Sequence, residues 1–347
     1  MIYVIAFIIA GSCSVILTLL VKKLAKTFKV LDQPNQADPR KIHRQPTPLL
    51  GGLAVFIAFA VTTGFLWYFG LLNTSRISPL QIFAFLLGGA ILMIGGILDD
   101  KKNLHPAQQI IFPIIATSLV IASGIRVTFV TNPLGGILAF PLWFGTVMAF
   151  GWILGMTYTT KLLDGLDGLL AGVTAIGAVI IFGVSLVWDV PQSATSVMAI
   201  ILAGSALGFL IFNWHPAKIF LGEAGSVWCG YSLSVLAIIS GSKIATALLI
   251  MGVPILDVVW VIIRRLWQGS SPTRGDRGHL HFRLLDLGLS QRQTVLVLYA
   301  ITMTFGLSSL FLQSFGKVVA LLSLGGFMAL LIIFLVLVYN SKNASRN

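Results

Sequence analysis

Apolar residues occur in long runs along the whole chain, and short polar segments separate these runs. A run of about 20 apolar residues is long enough for a helix to cross the hydrocarbon layer of a membrane. Helices are expected rather than open sheets, because lipid offers no partners for unpaired backbone groups. The pattern therefore predicts an all-α, polytopic membrane protein with about eleven transmembrane helices. We place these spans approximately at residues 2–21, 49–70, 78–98, 107–124, 140–157, 168–188, 194–212, 224–241, 244–263, 293–312 and 317–339.

The composition agrees with this fold class. Of the 347 residues, 57% are hydrophobic and 10% are charged, and the mean hydropathy is +0.96. A soluble protein does not need so much apolar surface to fill one core. Because no internal repeat or low-complexity linker interrupts the pattern, we expect one integral membrane domain over residues 1–347.

The distribution of basic residues predicts the orientation of the helices. Four of the 23 Lys and Arg residues follow even-numbered spans, and the other nineteen follow odd-numbered spans or lie in the C-terminal tail. By the positive-inside rule, the N-terminus is outside and the C-terminus is cytoplasmic. The rule also accounts for most of the net charge of +12, so we expect the lipid bilayer and no nucleic acid as partner. The cytoplasmic loops would cover about 22–48, 99–106, 158–167, 213–223 and 264–292.

Acidic residues and histidines collect on the same predicted face. Of the eleven Asp and Glu residues, Asp189 alone is predicted to face outside, and all five histidines lie in or beside the cytoplasmic loops. A transporter would more often carry ionisable groups near the middle of its spans. The placement favours a site at the cytoplasmic membrane surface, where a soluble and a lipid reactant can meet. A transporter remains an alternative.

Carboxylates mark the candidate chemistry. Asp164 and Asp167 lie three residues apart in "LLDGLDGLLAG", so they share a face if this segment is helical. Further carboxylates end the third span, lie in a glycine-flanked turn before the eighth span and occur inside the ninth. These are Asp99, Asp100, Glu223 and Asp257. Mg²⁺ prefers oxygen ligands and often combines one or two carboxylates with substrate phosphates. We therefore expect Mg²⁺, with Mn²⁺ as a substitute; helix capping and ion pairing are the alternative roles.

The loop 264–292 supplies the basic counterpart. His279 and His281 are two residues apart and share a face only if the stretch is extended. This spacing is a poor metal signal, whereas arginines nearby suit a diphosphate or a sugar. The basic candidates in this loop and in the first cytoplasmic loop are Arg274, Arg277, Arg283, Lys41, His43 and Arg44.

Six segments, in order along nearly the whole chain, resemble the motifs of one enzyme family. They are "KIHRQPTPLLGG", "GILDDKKNLHP", "LLDGLDGLLAG", "IFLGEAGS", "PILDVVWVIIRR" and "GHLHFRLLDLGLS". The family is the polyprenyl-phosphate N-acetylhexosamine-1-phosphate transferases (glycosyltransferase family 4), which includes phospho-N-acetylmuramoyl-pentapeptide transferase. The last segment is more similar to the N-acetylglucosamine branch than to the muramoyl-pentapeptide branch, which has three consecutive histidines followed by Phe-Glu there.

The resemblance implies a reaction and its setting. A UDP-N-acetylhexosamine, most often UDP-N-acetylglucosamine, would transfer its sugar-1-phosphate to undecaprenyl or another polyprenyl phosphate, with release of UMP. This would be the first membrane step of cell-envelope glycan synthesis. It would use Mg²⁺ on the cytoplasmic face of the inner (plasma) membrane, and related enzymes are often homodimers. Muramoyl-pentapeptide transfer, a non-catalytic relative and a transporter are the alternatives.

The resemblance also implies a role for each motif. Asp99 and Asp100 would position the lipid phosphate, and Asp99 is also a candidate base, although an ionised phosphate barely needs one. Asp164 and Asp167 would be catalytic through the metal and the nucleotide. Glu223 falls where the family has a metal-binding Asp, so the predicted metal ligands are Asp164, Asp167 and Glu223. The predicted substrate contacts are His43, Lys161, Asp257, Arg277, His279, His281 and Arg283.

Four positions depart from the family pattern. Lys161 stands where Asn is usual, Gln109 where Lys is common, and Glu223 where Asp is found. Phe282 follows the histidine motif where a further His is common. Lys161 could supply the cation that Gln109 lacks, which is a hypothesis from sequence. These departures concern the nucleotide contacts and the identity of the substrate more than the reaction class, since every acidic position remains acidic.

Overall fold

The computed structural model describes residues 1–35, 41–43, 45–75, 77–241, 244–271 and 277–344. Two short antiparallel hairpins accompany the helices: β1 (Leu31–Asp32) pairs with β2 (Thr47–Pro48), and β3 (Phe129–Thr131) pairs with β4 (Ile137–Ala139). The helices are α1 (Ile2–Thr27), α2 (Gly51–Tyr68), α3 (Pro79–Lys102), α4 (Pro106–Gln109), α5 (Ile111–Ala122), α6 (Leu142–Leu163), α7 (Leu169–Trp188), α8 (Ala194–Asn213), α9 (Gly222–Ile239), α10 (Ile244–Trp267), α11 (Leu280–Asp286), α12 (Gln291–Phe311) and α13 (Ser314–Ala344).

The prediction of a polytopic helical membrane protein is confirmed. Within the described ranges, nine helices are long and apolar enough to cross a membrane, and they carry nine of the predicted spans. The fourth predicted span falls on a shorter apolar helical segment, Pro106–Ala122. The fifth falls on α6, which has 22 residues but is rich in Gly and Thr, and these residues lower its hydropathy. The orientation of the termini stays a prediction.

Helix α9 is the most enclosed part of the bundle. In its most apolar window 83% of the residues are buried, against 28% in α1 and 11% in α13. The buried indole of Trp228, in the middle of α9, packs against the rings of Phe56, Phe59 and Phe85. Helices α1 and α13 thus present apolar faces outward, as expected of helices that contact lipid.

Small residues bring α2 and α3 against the first turn of α9. A Cβ atom on Gly52 would lie 2.1 Å from Cα of Gly225, and one on Gly96 would lie 2.2 Å from Cα of Ala224. Because any side chain would prevent these approaches, Gly52 and Gly96 let the three backbones come into direct contact. Membrane helices commonly pack through such small residues.

The turn into α9 also depends on glycine. Gly222 has φ +72°, a conformation in which a Cβ atom is strained. A side chain at this position would also meet Oδ2 of Asp100 at 2.4 Å. Glycine therefore lets α9 begin directly beside the last turn of α3, and it brings Glu223 close to Asp100.

Candidate active site

A cavity of about 410 Å³ opens where α3 and α6 end and α9 begins. It brings together four of the five carboxylates that the sequence predicted as catalytic or metal-binding: Asp99, Asp100, Asp164 and Glu223. The strand pair β1–β2 brings Asp32 and other described residues of the first loop to the same space. The other polar residues of the lining are Asp32, Gln33, Lys41, Asn103, Lys161 and Ser226.

Asp99 and Asp100 end α3 in different hydrogen-bonding environments. Oδ1 of Asp99 accepts from the backbone N–H of Leu104 at 2.7 Å and from Nε2 of Gln109 at 2.9 Å. Oδ1 of Asp100 accepts from the backbone N–H of Glu223 at 2.9 Å. Oδ2 of Asp100 is buried and has no hydrogen-bond partner in the described part of the chain. A buried carboxylate oxygen without a partner is costly, so this atom is available to a ligand that enters the cavity.

Lys161 connects two of the positions that depart from the family pattern. Its Nζ atom lies 2.5 Å from Oε1 of Glu223 and 2.7 Å from Oε1 of Gln109. Gln109 in turn holds Asp99 through its amide nitrogen. The side chains of Lys161 and Glu223 are 23% and 18% exposed. A continuous polar chain therefore runs from the end of α3 through α4 and α6 to α9.

Asp164 and Asp167 lie in the turn between α6 and α7 and not on one helical face, because α6 ends at Leu163. Asp164 lines the cavity, whereas Oδ2 of Asp167 lies 2.7 Å from Nδ1 of His215 and accepts from the N–H of Ala217 at 3.1 Å. Asp167 is not among the residues that line the cavity, so its role as a metal ligand stays a prediction.

Asp164 combines access to water with a strongly perturbed carboxyl group. Solvent reaches the residue through the cavity, yet the protein packed around it removes much of its hydration. This desolvation, together with the negative charges of Glu223 and Asp167, raises the pKa of Asp164 to about 7. The site therefore favours a cation beside this carboxyl.

Asp257, His279 and His281 form a second cluster next to the cavity. Oδ2 of Asp257 lies 2.8 Å from Nδ1 of His279, and Oδ1 accepts from the N–H of Leu280 at 2.8 Å. The rings of His279 and His281 are stacked, with centroids 5.7 Å apart. His279 is the N-cap of α11 and His281 lies in the first turn of this helix. The two rings are therefore close although the stretch is not an extended strand.

His281 points towards the turn that carries the two aspartates. A Cβ atom on Gly165 would lie 2.3 Å from Nε2 of His281, so glycine is required there for the ring to approach. That nitrogen is buried without a hydrogen-bond partner among the described residues. Burial lowers the pKa of His281 to about 4, and the imidazole is therefore neutral at physiological pH.

Of the seven predicted substrate-binding residues, Lys161 lines the cavity and the other six do not. Besides Asp257, His279 and His281, these are Arg277, Arg283 and His43. Nη2 of Arg277 donates to Oδ1 of Asp286 at 2.7 Å, and Nε of Arg283 donates to the carbonyl of Gly278 at 3.0 Å. The third, His43, has its Nε2 atom 3.6 Å from Oδ2 of Asp32. Arg44 and Arg274 lie outside the described residues. At the departure position 282, the phenyl ring is buried and carries the guanidinium of Arg277 over its face, 5.1 Å from the centroid.

The sequence did not single out Asp32 or His215 as site residues, although it named Lys41 as a basic candidate. Asp32 and Lys41 form an ion pair in the cavity lining, and His215 holds Asp167. Asp32 lies in the stretch "VLDQPNQADPRK", where proline and mixed charges predict only a loop. His215 follows Asp167 by 48 residues in the chain, so only folding brings these two residues together.

The donor set fits Mg²⁺, although its ligands do not form a closed cage. Among the described residues, no three His, Cys, Asp or Glu side chains converge closely enough to hold a metal ion by themselves. Mg²⁺ ordinarily takes one or two carboxylates and completes its shell with water and substrate phosphates. The cavity offers carboxylate oxygens, including the unpartnered Oδ2 of Asp100, and room for such phosphates.

Comparisons with known proteins agree with this chemistry. The sequence profile of glycosyl transferase family 4 matches residues 82–241. A probable undecaprenyl-phosphate N-acetylglucosaminyl 1-phosphate transferase of Bacillus subtilis (strain 168) is 34% identical over 323 residues, which are 90% of this chain and 85% of the relative. A decaprenyl-phosphate N-acetylglucosaminephosphotransferase of Mycolicibacterium smegmatis is 31% identical, over 80% of this chain and 74% of the relative.

The muramoyl-pentapeptide branch is also similar. A phospho-N-acetylmuramoyl-pentapeptide-transferase of Geobacillus sp. (strain WCH70) is 29% identical over 334 residues, which are 89% of this chain and 97% of the relative. The similarity to each relative extends over most of both chains, and the family profile covers α6, α9 and most of α3. The chain therefore belongs to glycosyl transferase family 4 and is a polytopic membrane transferase of that family.

Proposed function

We propose that this protein transfers N-acetylglucosamine-1-phosphate from UDP-N-acetylglucosamine to undecaprenyl phosphate, with release of UMP. The observation that carries the proposal is the cavity at the end of the bundle. There Asp99, Asp100, Asp164 and Glu223 converge from α3, the end of α6 and α9. The names of two similar relatives, from Bacillus subtilis and Mycolicibacterium smegmatis, give the same sugar phosphate and polyprenyl acceptors.

The position of the cavity suits reactants from two phases. It lies at the ends of membrane-spanning helices, so a lipid phosphate can reach it from the bilayer and a nucleotide sugar from water. The excess of Lys and Arg in the loops on this side supports a cytoplasmic location, by the positive-inside rule. We place the enzyme in the plasma membrane with this face towards the cytoplasm. A homodimer stays a prediction.

The reaction is a displacement at phosphorus. An oxygen of the lipid phosphate forms a bond to the β-phosphorus of the UDP-sugar, the bond from that phosphorus to the bridging oxygen breaks, and UMP leaves with the electron pair. Both reactants are anions, so their approach requires compensating charge. Enzymes of the family are generally metal-dependent, and Mg²⁺ would supply that charge when it is bound, with Mn²⁺ as a substitute.

The residues of the chain would orient the reactants. Oδ1 of Asp99 already accepts two hydrogen bonds, so this carboxylate suits positioning better than proton removal, and an ionised phosphate needs no base. Asp164 and Glu223, which the resemblance assigns to the metal, would hold it beside the donor. Lys161 supplies an ammonium for phosphate oxygens, as lysine commonly does.

The test is an assay of the purified protein in detergent. UMP release is measured with UDP-N-acetylglucosamine, UDP-N-acetylgalactosamine or UDP-N-acetylmuramoyl-pentapeptide as donor, with and without undecaprenyl phosphate and Mg²⁺. We expect release only with UDP-N-acetylglucosamine, and only when lipid and metal are both present. Preference for the pentapeptide donor would place the chain in the muramoyl branch, and binding of UDP-sugars without any turnover would indicate a non-catalytic relative.

A variant pair ties the activity to the cavity. Asp164→Asn removes a charged ligand and should reduce turnover at least about 100-fold, since the loss of an outer partner of a metal site already costs up to about that factor. Asp189→Asn makes the same chemical change at the C-cap of α7, at the other end of a 20-residue helix. It should leave turnover within about twofold of the wild type. Equal effects of both substitutions would contradict the proposed site.

A further inference from the structure

Two lysines line the cavity among the described residues, and they bind different carboxylates. Lys41 is paired with Asp32 from the first loop. Lys161 lies 2.5 Å from Oε1 of Glu223, a carboxylate that the proposed function assigns to the metal. The second contact of the Lys161 ammonium is Oε1 of Gln109 at 2.7 Å, which is a neutral acceptor.

We propose that Lys161 is an exchangeable counter-ion of Glu223. In this structure its ammonium lies against Glu223; when a divalent metal is bound to Glu223, Lys161 would move away from this carboxylate and would bind the diphosphate of the nucleotide sugar. This inference rests on the proposed function, because it takes Glu223 as a metal ligand.

Competition follows from the chemistry of the shared oxygen. An ammonium at hydrogen-bonding distance and a Mg²⁺ ion both need the lone pairs of Glu223, and two cations on one carboxylate repel each other. With the ammonium in place, the cavity holds a neutralised Glu223 and no three converging ligands among the described side chains. Removal of the ammonium would free the oxygen that the metal needs.

The surroundings of Lys161 allow the exchange. The two side chains of the pair are partly exposed, and the cavity of about 410 Å³ gives the ammonium room to move. Gln109 retains a contact when Glu223 is lost, and its amide nitrogen is bound to Asp99. The released ammonium therefore stays between Asp99, which faces the lipid phosphate in the proposed function, and the carboxylate that binds the metal.

The experiment measures metal binding and turnover separately. Protein stripped of metal is titrated with Mn²⁺ in detergent, and the electron paramagnetic resonance signal of free Mn²⁺ gives the affinity for Mn²⁺. Competition with Mg²⁺ then gives the affinity for Mg²⁺. Lys161→Gln should bind Mn²⁺ about tenfold more tightly, because a competing charge is gone. The same variant should lose at least about tenfold in kcat/KM for the UDP-sugar, because a phosphate contact is gone.

Two controls separate the pair from a general charge effect. Lys41→Gln removes the same charge from the same cavity, but from Asp32, and should change the Mn²⁺ affinity less than about threefold. In Glu223→Gln, the further change Lys161→Gln should give a clearly smaller gain in affinity, because the shared oxygen is altered and only the repulsion between the ammonium and the metal is removed. An equal gain from Lys41→Gln, or a full gain in the Glu223→Gln background, would overturn the proposal.

If Lys161→Gln is not monodisperse on gel filtration, a second variant tests the proposal. Lys161→Arg keeps the charge and can hold a carboxylate through two N–H groups, so its Mn²⁺ affinity should fall below that of the wild type. An unchanged or raised affinity in Lys161→Arg, or an unchanged affinity in a folded Lys161→Gln, contradicts the exchange. Absence of Mg²⁺-dependent transfer in the wild type would instead contradict the proposed function.

Discussion

The Nζ atom of Lys161 lies 2.7 Å from Oε1 of Gln109, so two positions that depart from the family pattern are in direct contact. The resemblance places Lys at the position of Gln109 and Asn at the position of Lys161. The positive charge has thus moved across one contact and has not left the site. This geometry gives a physical basis to the hypothesis that one departure compensates the other.

The compensation can be tested by moving the charge back. Lys161→Asn alone should reduce kcat/KM for UMP release at least about tenfold, because a cation that binds phosphate is lost. Adding Gln109→Lys to this variant should restore kcat/KM to within about threefold of the wild type. Gln109→Lys alone should also reduce activity, since it places two like charges side by side. A double variant as weak as the weaker single variant would show that the two departures are independent.

We expect the glycine at the start of α9, Gly222, to be needed for the position of Asp100 and not only for the backbone conformation. Gly222→Ala places a Cβ at 2.4 Å from Oδ2 of Asp100, whereas Gly241→Ala, at the other end of α9, meets nothing within 4 Å. Both glycines have positive φ, +72° and +86°, so the strained backbone should cost each variant about 1–2 kcal/mol of stability, and Gly222→Ala should lose more because its Cβ also meets Asp100. Only Gly222→Ala should reduce turnover, by at least about tenfold, because it displaces Asp100.

Thermal unfolding and UMP release, measured on the same detergent preparations, check this prediction. Both variants should melt below the wild type, with Gly222→Ala the lower of the two, and only Gly222→Ala should have a strongly reduced kcat at a temperature where both are folded. Similar turnover in the two would mean that the position of Asp100 is not important for the reaction.

Asp257 should act through His279 and not through the metal. Its two oxygens bind Nδ1 of His279 and the N–H of Leu280 at 2.8 Å, and it does not line the cavity. Asp257→Asn keeps the shape but presents an amide N–H₂ where one acceptor is needed. We expect kcat to fall about 10–100-fold, the size commonly found for second-sphere partners, with Mn²⁺ affinity unchanged. Weakened Mn²⁺ binding in this variant would contradict a role confined to the histidines.

His281 should make the protein acid-sensitive. Its pKa is lowered to about 4 by burial, against an ordinary value near 6.5. Above about pH 6.5, His281 is neutral in both the folded and the unfolded chain, and it does not lower the free energy of unfolding. Between about pH 6.5 and pH 4, His281 takes up a proton in the unfolded chain only, so the free energy of unfolding decreases. Below about pH 4 the folded chain is protonated too, and the decrease stops. Between pH 7 and pH 5 this one group should cost about 2 kcal/mol.

His281→Gln removes the titrating group and should remove that part of the acid loss. The free energy of unfolding, or the melting temperature as its proxy, is compared at pH 7 and pH 5 for the wild type and the variant. The same acid loss in both proteins would show that His281 is not the responsible group.

The helices could be predicted because a bilayer dictates the length of an apolar segment. The end of the third span shows the limit of this reasoning. Hydropathy placed it at residue 98, but α3 continues to Lys102, since backbone hydrogen bonding does not stop where the apolar run stops. Asp99 and Asp100 are consequently on the last turn of a helix and not in a loop.

The convergence of four carboxylates could also be predicted, because all acidic motifs lay on one predicted face. Their partners could not. The contact between Asp257 and His279 depends on how a loop of low sequence regularity folds back, and the contact between Asp167 and His215 joins residues from different connections. The turn after Leu163 places Asp164 and Asp167 in different environments, which a three-residue spacing does not reveal.

The most direct test of the central claim is to locate a divalent metal in the protein together with a donor. Crystals grown with Mn²⁺ and UDP-N-acetylglucosamine, measured at the manganese absorption edge, would give an anomalous peak at the metal. The account predicts a peak in the cavity, within coordination distance of Asp164, Glu223 and the donor diphosphate, with Lys161 moved from Glu223. A peak outside this cavity, or a bound donor with no metal beside these carboxylates, would contradict it.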